Sequence, residues 1–195
     1  MSNKTTLNLL FELTEIRGKF SILRPIDVKD AKLILDLRTR RQNNFLKATH
    51  GGIEEQISYL NSYINRFNNR EEIYYKIHDP RTKTDAGVVR LTELNSSTAF
   101  NWQSLVVSEA ASPQLALDAM MLIYSIGFDW LGRSVCGPWE VKKTFEKMMK
   151  IHAFTGMAEV VSSDDEYFHV AVTKERFFNQ IGRFRKLGLG HLESL

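Results

Sequence analysis

In 195 residues there is one cysteine, Cys136, so no disulfide framework can form within the chain. That suits a reducing compartment, and a lone cysteine beside a turn reads as a small core residue. Only four prolines are present, and no Pro/Gly/Ser-rich run or repeat marks a linker. One domain over residues 1–195 is expected. No stretch approaches the roughly 20 apolar residues of a membrane helix. The short apolar stretch near the start is interrupted by Glu12 and Glu15, which argues against a secretory leader. A net charge of only +3 gives no electrostatic footprint for nucleic acid or a membrane surface. The histidines (His50, His78, His152, His169, His191) lack metal-ligand spacing. No G-x-S-x-G elbow, Walker A loop or dinucleotide fingerprint occurs. The expectation is a cytoplasmic protein without a metal.

What is present is a clear change of hydrophobic period along the chain. Residues 20–24 alternate as a strand that Pro25 stops. Asp27, with Asp30 three residues on, is an N-cap pattern for an amphipathic helix over 28–40. A second helix spans 53–67, after Gly51-Gly52. Residues 72–78, 87–94 and 100–107 read as an antiparallel meander. From Pro113 to Gly132 the chain is almost continuously apolar, as in a helix buried on most faces. A short strand at 134–136, a helix over 142–152, strands at 157–161 and 167–173, and a helix or loose tail over 174–187 complete the reading. The fold class is α/β: a mixed, mostly antiparallel central sheet flanked by helices.

This order resembles the Gcn5-related N-acetyltransferase (GNAT) superfamily over residues 20–178. SILRPIDVKDAKLILDLR is similar to the family's opening strand and helix, and EEQISYLNSYINRF to its second helix. AGVVRLTEL resembles the third strand, and EYFHVAVTKERF the closing strand. LDAMMLIYSIGFDWLG is the strongest match; it looks like the corresponding helix of the ribosomal-protein and sugar-nucleotide branches. KKTFEKMMKIHAFTGMAEV stands where relatives carry an Asn, a helix and a Gly-Phe end.

The resemblance implies an acyl-CoA, normally acetyl-CoA, lying where the strand at 100–107 splays from the next. Leu105, Val106 and Val107 would supply backbone to the pantetheine arm. Ser112, Gln114, Leu115, Ala116 and Leu117 would hold the pyrophosphate at a helix start, where N–H groups and the helix dipole favour anions. The loop Ala111-Ser112-Pro113-Gln114-Leu115-Ala116 departs from the family's Q/R-x-x-G-x-G/A pattern, keeping only Ala116, and Pro113 has no N–H to donate. Lys142 stands near the family's Asn. Met149 falls where many relatives have a proton-donating Tyr, with His152 and Tyr124 as residues that could substitute although ordinary packing explains them as well.

The chemistry would join an amine to a thioester carbonyl, relying on proximity, a backbone oxyanion donor near Val106 or Val107, and a base acting through water. His50, Glu93, Asn101 and Glu109 are the candidate catalytic residues. His78 is a base by type, but its strand end reads as exposed. Arg38, Arg41, Asn44 and Trp102 are candidate acceptor contacts, and the arginines suit phosphate or carboxylate. A small-molecule amine is the expected partner, in particular a nucleotide-linked aminosugar. A protein N-terminus, or a GNAT-shaped binding protein without catalysis, are the alternatives. A homodimer is left open.

Overall fold

The computed structural model describes residues 3–40 and 52–192. The elements are α1 (Asn3–Glu12), β1 (Ile16–Arg17), β2 (Ile22–Pro25), a 3-10 turn (Val28–Asp30) leading into α2 (Ala31–Arg40), and α3 (Ile53–Asn68). The meander follows as β3 (Ile73–Asp79), β4 (Thr84–Thr92) and β5 (Ala99–Val107). Then come α4 (Pro113–Ser125) with a π-helical extension (Ile126–Trp130), β6 (Val135–Lys142), α5 (Glu146–Thr155), β7 (Ala158–Ser163), β8 (Tyr167–Thr173) and α6 (Lys174–Arg185).

The strands form one eight-stranded sheet in the order β1-β2-β3-β4-β5-β6-β8-β7. Neighbours are antiparallel except β5 and β6, which run parallel and pair only at Ala99–Val135 and Phe100–Cys136. Beyond those pairs the two strands separate. β6 turns away at Gly137-Pro138, where its register with β8 shifts. Gly137 has φ +96°, and a Cβ there would sit 2.6 Å from the Trp139 ring, so glycine is required.

Each face of the sheet has its own core. α2 and α3 close one face over Ile26, Ile34, Leu60, Tyr63, Tyr74, Val88 and Val106. The larger core on the other face gathers Leu10, Phe100, Trp102, Phe128, Phe177, Ile181, Phe184 and Leu189 around α4. That position explains the apolar run. α4 is covered by the sheet on one side and by α6 and the segment after it on the other, where Ser125 Oγ donates to Gly190 O at 2.9 Å. Asp118, fully buried on α4, ties these parts together. Its carboxylate accepts from Phe20 N (2.8 Å), Ser21 N (3.0 Å), Ser21 Oγ (2.9 Å) and Gly190 N (2.9 Å). Gly127 lets the helix approach β5 closely, since a Cβ there would meet the Phe100 ring at 2.1 Å.

Asp27 caps its helix with the reciprocal Asp30 bond that the sequence suggests. Two readings change. The strand expected at 134–136 is the eight-residue β6, because β8 pairs it along its length to Lys142. The helix expected from 142 therefore begins at Glu146. Of the two alternatives for the last segment the helix forms, over 174–185, with Thr173 Oγ1 accepting from Arg176 N. α1 and β1 are additional. α1 is held by Phe11 against Phe67 (5.0 Å between rings) and by Arg70 Nε donating to Asn8 Oδ1 at 2.7 Å.

Candidate functional site

The separation of β5 from β6 leaves strand backbone without a strand partner among the described residues. Pairing parity shows which groups are open. Ser108 N donates to Ala86 O, and Val106 faces Val88 two residues earlier, so Val106 directs its N–H and C=O to β4. Val107 then presents its backbone to the gap. Between Arg90 and Val88 the register shifts as Ser104 takes φ +56°, a bulge that re-aims Leu105. At the closed end, Asn101 is buried; its Oδ1 accepts from Trp102 N (2.8 Å) and its Nδ2 donates to Pro138 O (3.5 Å), bridging the two strands. An exposed strand edge of this kind accepts an extended, amide-bearing chain as a further strand.

α4 starts beside the open end of β5. Ser112 is its N-cap, with Oγ accepting from Leu115 N at 3.2 Å. Pro113 at the first helical position contributes no N–H. Gln114, exposed, therefore supplies the backbone donor left pointing out of the first turn. Ala116 and Leu117 are half-buried, and no acidic residue stands in that turn to oppose an anion. These residues fit an acyl-CoA along the strand edge, with a leaner phosphate seat than a glycine-rich loop would give.

Aromatic side chains from β5, β6, α4 and α5 pack together where the two strands part. Trp102 lies 5.6 Å from Trp139 and 6.2 Å from Tyr124, and Trp139 lies 5.5 Å from His152 (ring centroids). Burial pushes the Tyr124 hydroxyl well above its ordinary range and the Cys136 thiol likewise, so both stay protonated and Cys136 is a core residue. His152 is 4% exposed; burial lowers its pKa to about 4, and its Nε2 has no hydrogen-bond partner. It is a neutral imidazole packed against Trp139 of β6. Met149 is half-buried on the same helix.

The remaining sequence candidates are dispersed. Glu93 is exposed just beyond β4 at φ +62°, and Glu109 is exposed between β5 and α4. Lys142 lies within β6, opposite Tyr167 of β8, rather than after the strand as the sequence suggests, because β6 is longer. Trp102 belongs to the main core on the α4 face. Arg38 is half-buried on α2, while His50, Arg41 and Asn44 lie outside the described residues. His78 is half-buried rather than exposed, because its Nδ1 pairs with Asp85 Oδ1 at 2.9 Å. No group of three or more His, Cys, Asp or Glu among the described residues could hold a metal ion, and no described helix is long and apolar enough to cross a membrane.

A cluster that sequence reasoning missed lies on the α2–α3 face. Glu72, 5% exposed, accepts from Arg66 Nε at 3.0 Å and from Arg90 Nη2. Both guanidinium groups lie over Tyr59, at 5.5 and 5.8 Å. These residues come from α3, the residue just before β3, and β4, so no local motif announces them.

A mixed sheet whose one parallel pair opens beside a helix start defines the fold of the GNAT superfamily. This chain has that fold, as its resemblance implies. Among solved structures it is similar to FdhC in its apo form, a nucleotide-linked sugar GNAT, with 27% identity over 89% of this chain and 98% of that one and a TM-score of 0.79. A GCN5-related N-acetyltransferase from Brucella melitensis matches at 13% identity over 88% and 84% of the two chains, TM-score 0.67. The spermidine/spermine N-acetyltransferase SpeG from Vibrio cholerae matches at 15% over 82% and 96%, TM-score 0.61. No family model and no curated protein sequence matches the chain.

Proposed function

We propose that the protein is an N-acetyltransferase that moves an acetyl group from acetyl-CoA to a primary amine, with a nucleotide-linked aminosugar as acceptor. The observation that carries this is the parted β5–β6 pair with Val107 backbone on its open edge. The 27% identity to a nucleotide-linked sugar GNAT, spanning 98% of that chain, supports the acceptor class. The cofactor supplies an activated thioester carbonyl. Val107 N–H, on the open strand edge, would bond the oxyanion, since a preorganised donor is effective there. Leu105 and Val107 would hold the pantetheine arm, and the start of α4, capped by Ser112 and with the Gln114 N–H as its open donor, would take the phosphates. No acidic side chain among the described residues bridges the parted strands, so deprotonation of the amine is assigned to a base acting through water. Glu93, Asn101, Glu109 and His50 remain the candidates for positioning that water or the amine.

A GNAT-shaped binding protein without catalysis is the second reading. It is favoured by Met149 in place of a proton-donating tyrosine and by a first turn of α4 in which Pro113 lacks an N–H and the Leu115 N–H is capped. Calorimetry with acetyl-CoA separates the two. Micromolar affinity in the parent and loss of binding in Ala116→Glu support the acetyltransferase. No heat at millimolar acetyl-CoA would remove it.

A further inference from the structure

The sheet has two outer edges, and they are built differently. β1 is two residues long and Arg17 on it pairs with Glu15, so that edge is short and charged. β7 is six residues long, with β8 on one side and no strand on the other among the described residues. No lysine, arginine or proline stands in it, and its one charge, Glu159, is taken up by Arg176 Nε at 2.8 Å. Of the devices that blunt an edge it has a bulge alone, where Val160 faces Val170 and Ser162 faces His169. Val160 and Val161 are 46% and 52% exposed. An edge of this length and character is a template for another strand.

The two ends of β7 carry opposite charge. Beyond its last residue the turn Asp164-Asp165-Glu166 is exposed, and Asp165 and Glu166 form no ion pair among the described residues. Before its first residue lies Arg183, exposed, whose Nη2 donates to Phe154 O (2.5 Å) and Thr155 O (2.6 Å) and meets no carboxylate among the described residues. Phe154, 64% exposed, ends up at the same place. A strand that pairs antiparallel with its own copy does so about a two-fold axis on which one residue opposes itself. With Val160 on that axis, Glu159 faces Val161 of the copy; with Val161 on it, Glu159 faces Ser163. Neither register sets like charges opposite one another. Both bring the acidic turn of each copy to residues 154–158 of the other, beside Arg183. We propose that β7 is the edge through which two copies of this chain associate, continuing the sheet across a two-fold axis and setting Asp165 and Glu166 of each copy against Arg183 of the other. This inference stands apart from the acetyltransferase reading and does not need it.

The test is sedimentation velocity of the purified protein over roughly 1–100 μM. A dimer is expected whose population grows with concentration. Val161→Lys places an ammonium group in the middle of the shared edge from each copy and is expected to raise the dissociation constant at least about tenfold. Glu166→Lys sets like charges at both ends and is expected to raise it about fivefold. Adding Arg183→Glu to Glu166→Lys exchanges the two charges and should restore association. Should Val161→Lys fail to fold, Glu166→Lys, in an exposed turn, carries the test alone. Amide exchange along β7 should slow as the dimer forms. A parent that stays monomeric across the range would overturn the proposal and leave the edge to another protein. Association unchanged in Val161→Lys and Glu166→Lys, or a dimer whose β7 amides exchange as fast as the monomer's, would overturn it equally.

Discussion

Asp118 and Glu72 are buried on opposite faces of the sheet and are held in opposite ways. On the α4 face, Asp118 is held by neutral donors: three backbone N–H groups and one hydroxyl, drawn from the β1–β2 turn and from Gly190. On the α2–α3 face, Glu72 is held by two arginines. The first arrangement is fully satisfied and fastens both ends of the fold to its central helix. The second sets two cations on one carboxylate, with Arg90 Nε buried without a partner. A saturated polar centre rigidifies the fold.

The largest expected effect therefore falls on the α4 face. Asp118→Ala leaves four donors, three of them buried, without an acceptor and should destabilise the protein by about 4 kcal/mol or prevent folding. Urea denaturation measures this. Equal stability of the variant and the parent would mean that Asp118 does not fasten the fold. Next is Gly127→Ala, whose methyl collides with Phe100 and should lose about 1–3 kcal/mol by overpacking. It should also loosen the closed end of the β5–β6 pair. A thermal scan that shows no shift would remove Gly127 as the contact that sets this approach.

His152 gives a pH signature on the same face. Its folded pKa, about 4, lies below the unfolded value near 6.5, so the unfolded state binds the proton more readily. Its contribution is fully present above about pH 6.5 and is lost as pH falls toward 4, by about 2–3 kcal/mol. Comparing stability against pH for the parent and His152→Leu should show the variant flatter across that window. Parallel curves would mean that the imidazole titrates normally. The smallest effect is expected at Glu109, which is exposed between β5 and α4: Glu109→Gln should leave stability within about 0.5 kcal/mol, and a large change in the denaturation midpoint would mean that its carboxylate fastens the loop.

Much of the fold is legible from the chain because its signals are local. Asp27 and Asp30 mark a capped start, Ser112-Pro113 another, and the apolar run after Pro113 announces a helix covered on most faces. Gly137-Pro138 misleads, since glycine and proline usually end a strand. Here they make the bulge at which β6 leaves β5, and pairing with β8 carries the strand on to Lys142. β1 has two residues, too few for any period to show. α1 is defined by distant contacts to Phe67 and Arg70. The site divides in the same way. The strand edge at 105–107 and the helix start at 112–117 are continuous segments and can be read. Arg66, Glu72 and Arg90 meet only after α3, β3 and β4 have packed, and whether Val106 or Val107 opens to the gap depends on a bulge at Ser104 that no residue pattern reveals.

The central claim is that the open edge of β5 is the acetyl-CoA cleft, and amide hydrogen exchange at neighbouring residues tests it most directly. With acetyl-CoA added, the Val107 amide should slow strongly while the Val106 amide, already paired to β4, stays as it was. Unchanged exchange at Val107 in saturating acetyl-CoA would contradict the account.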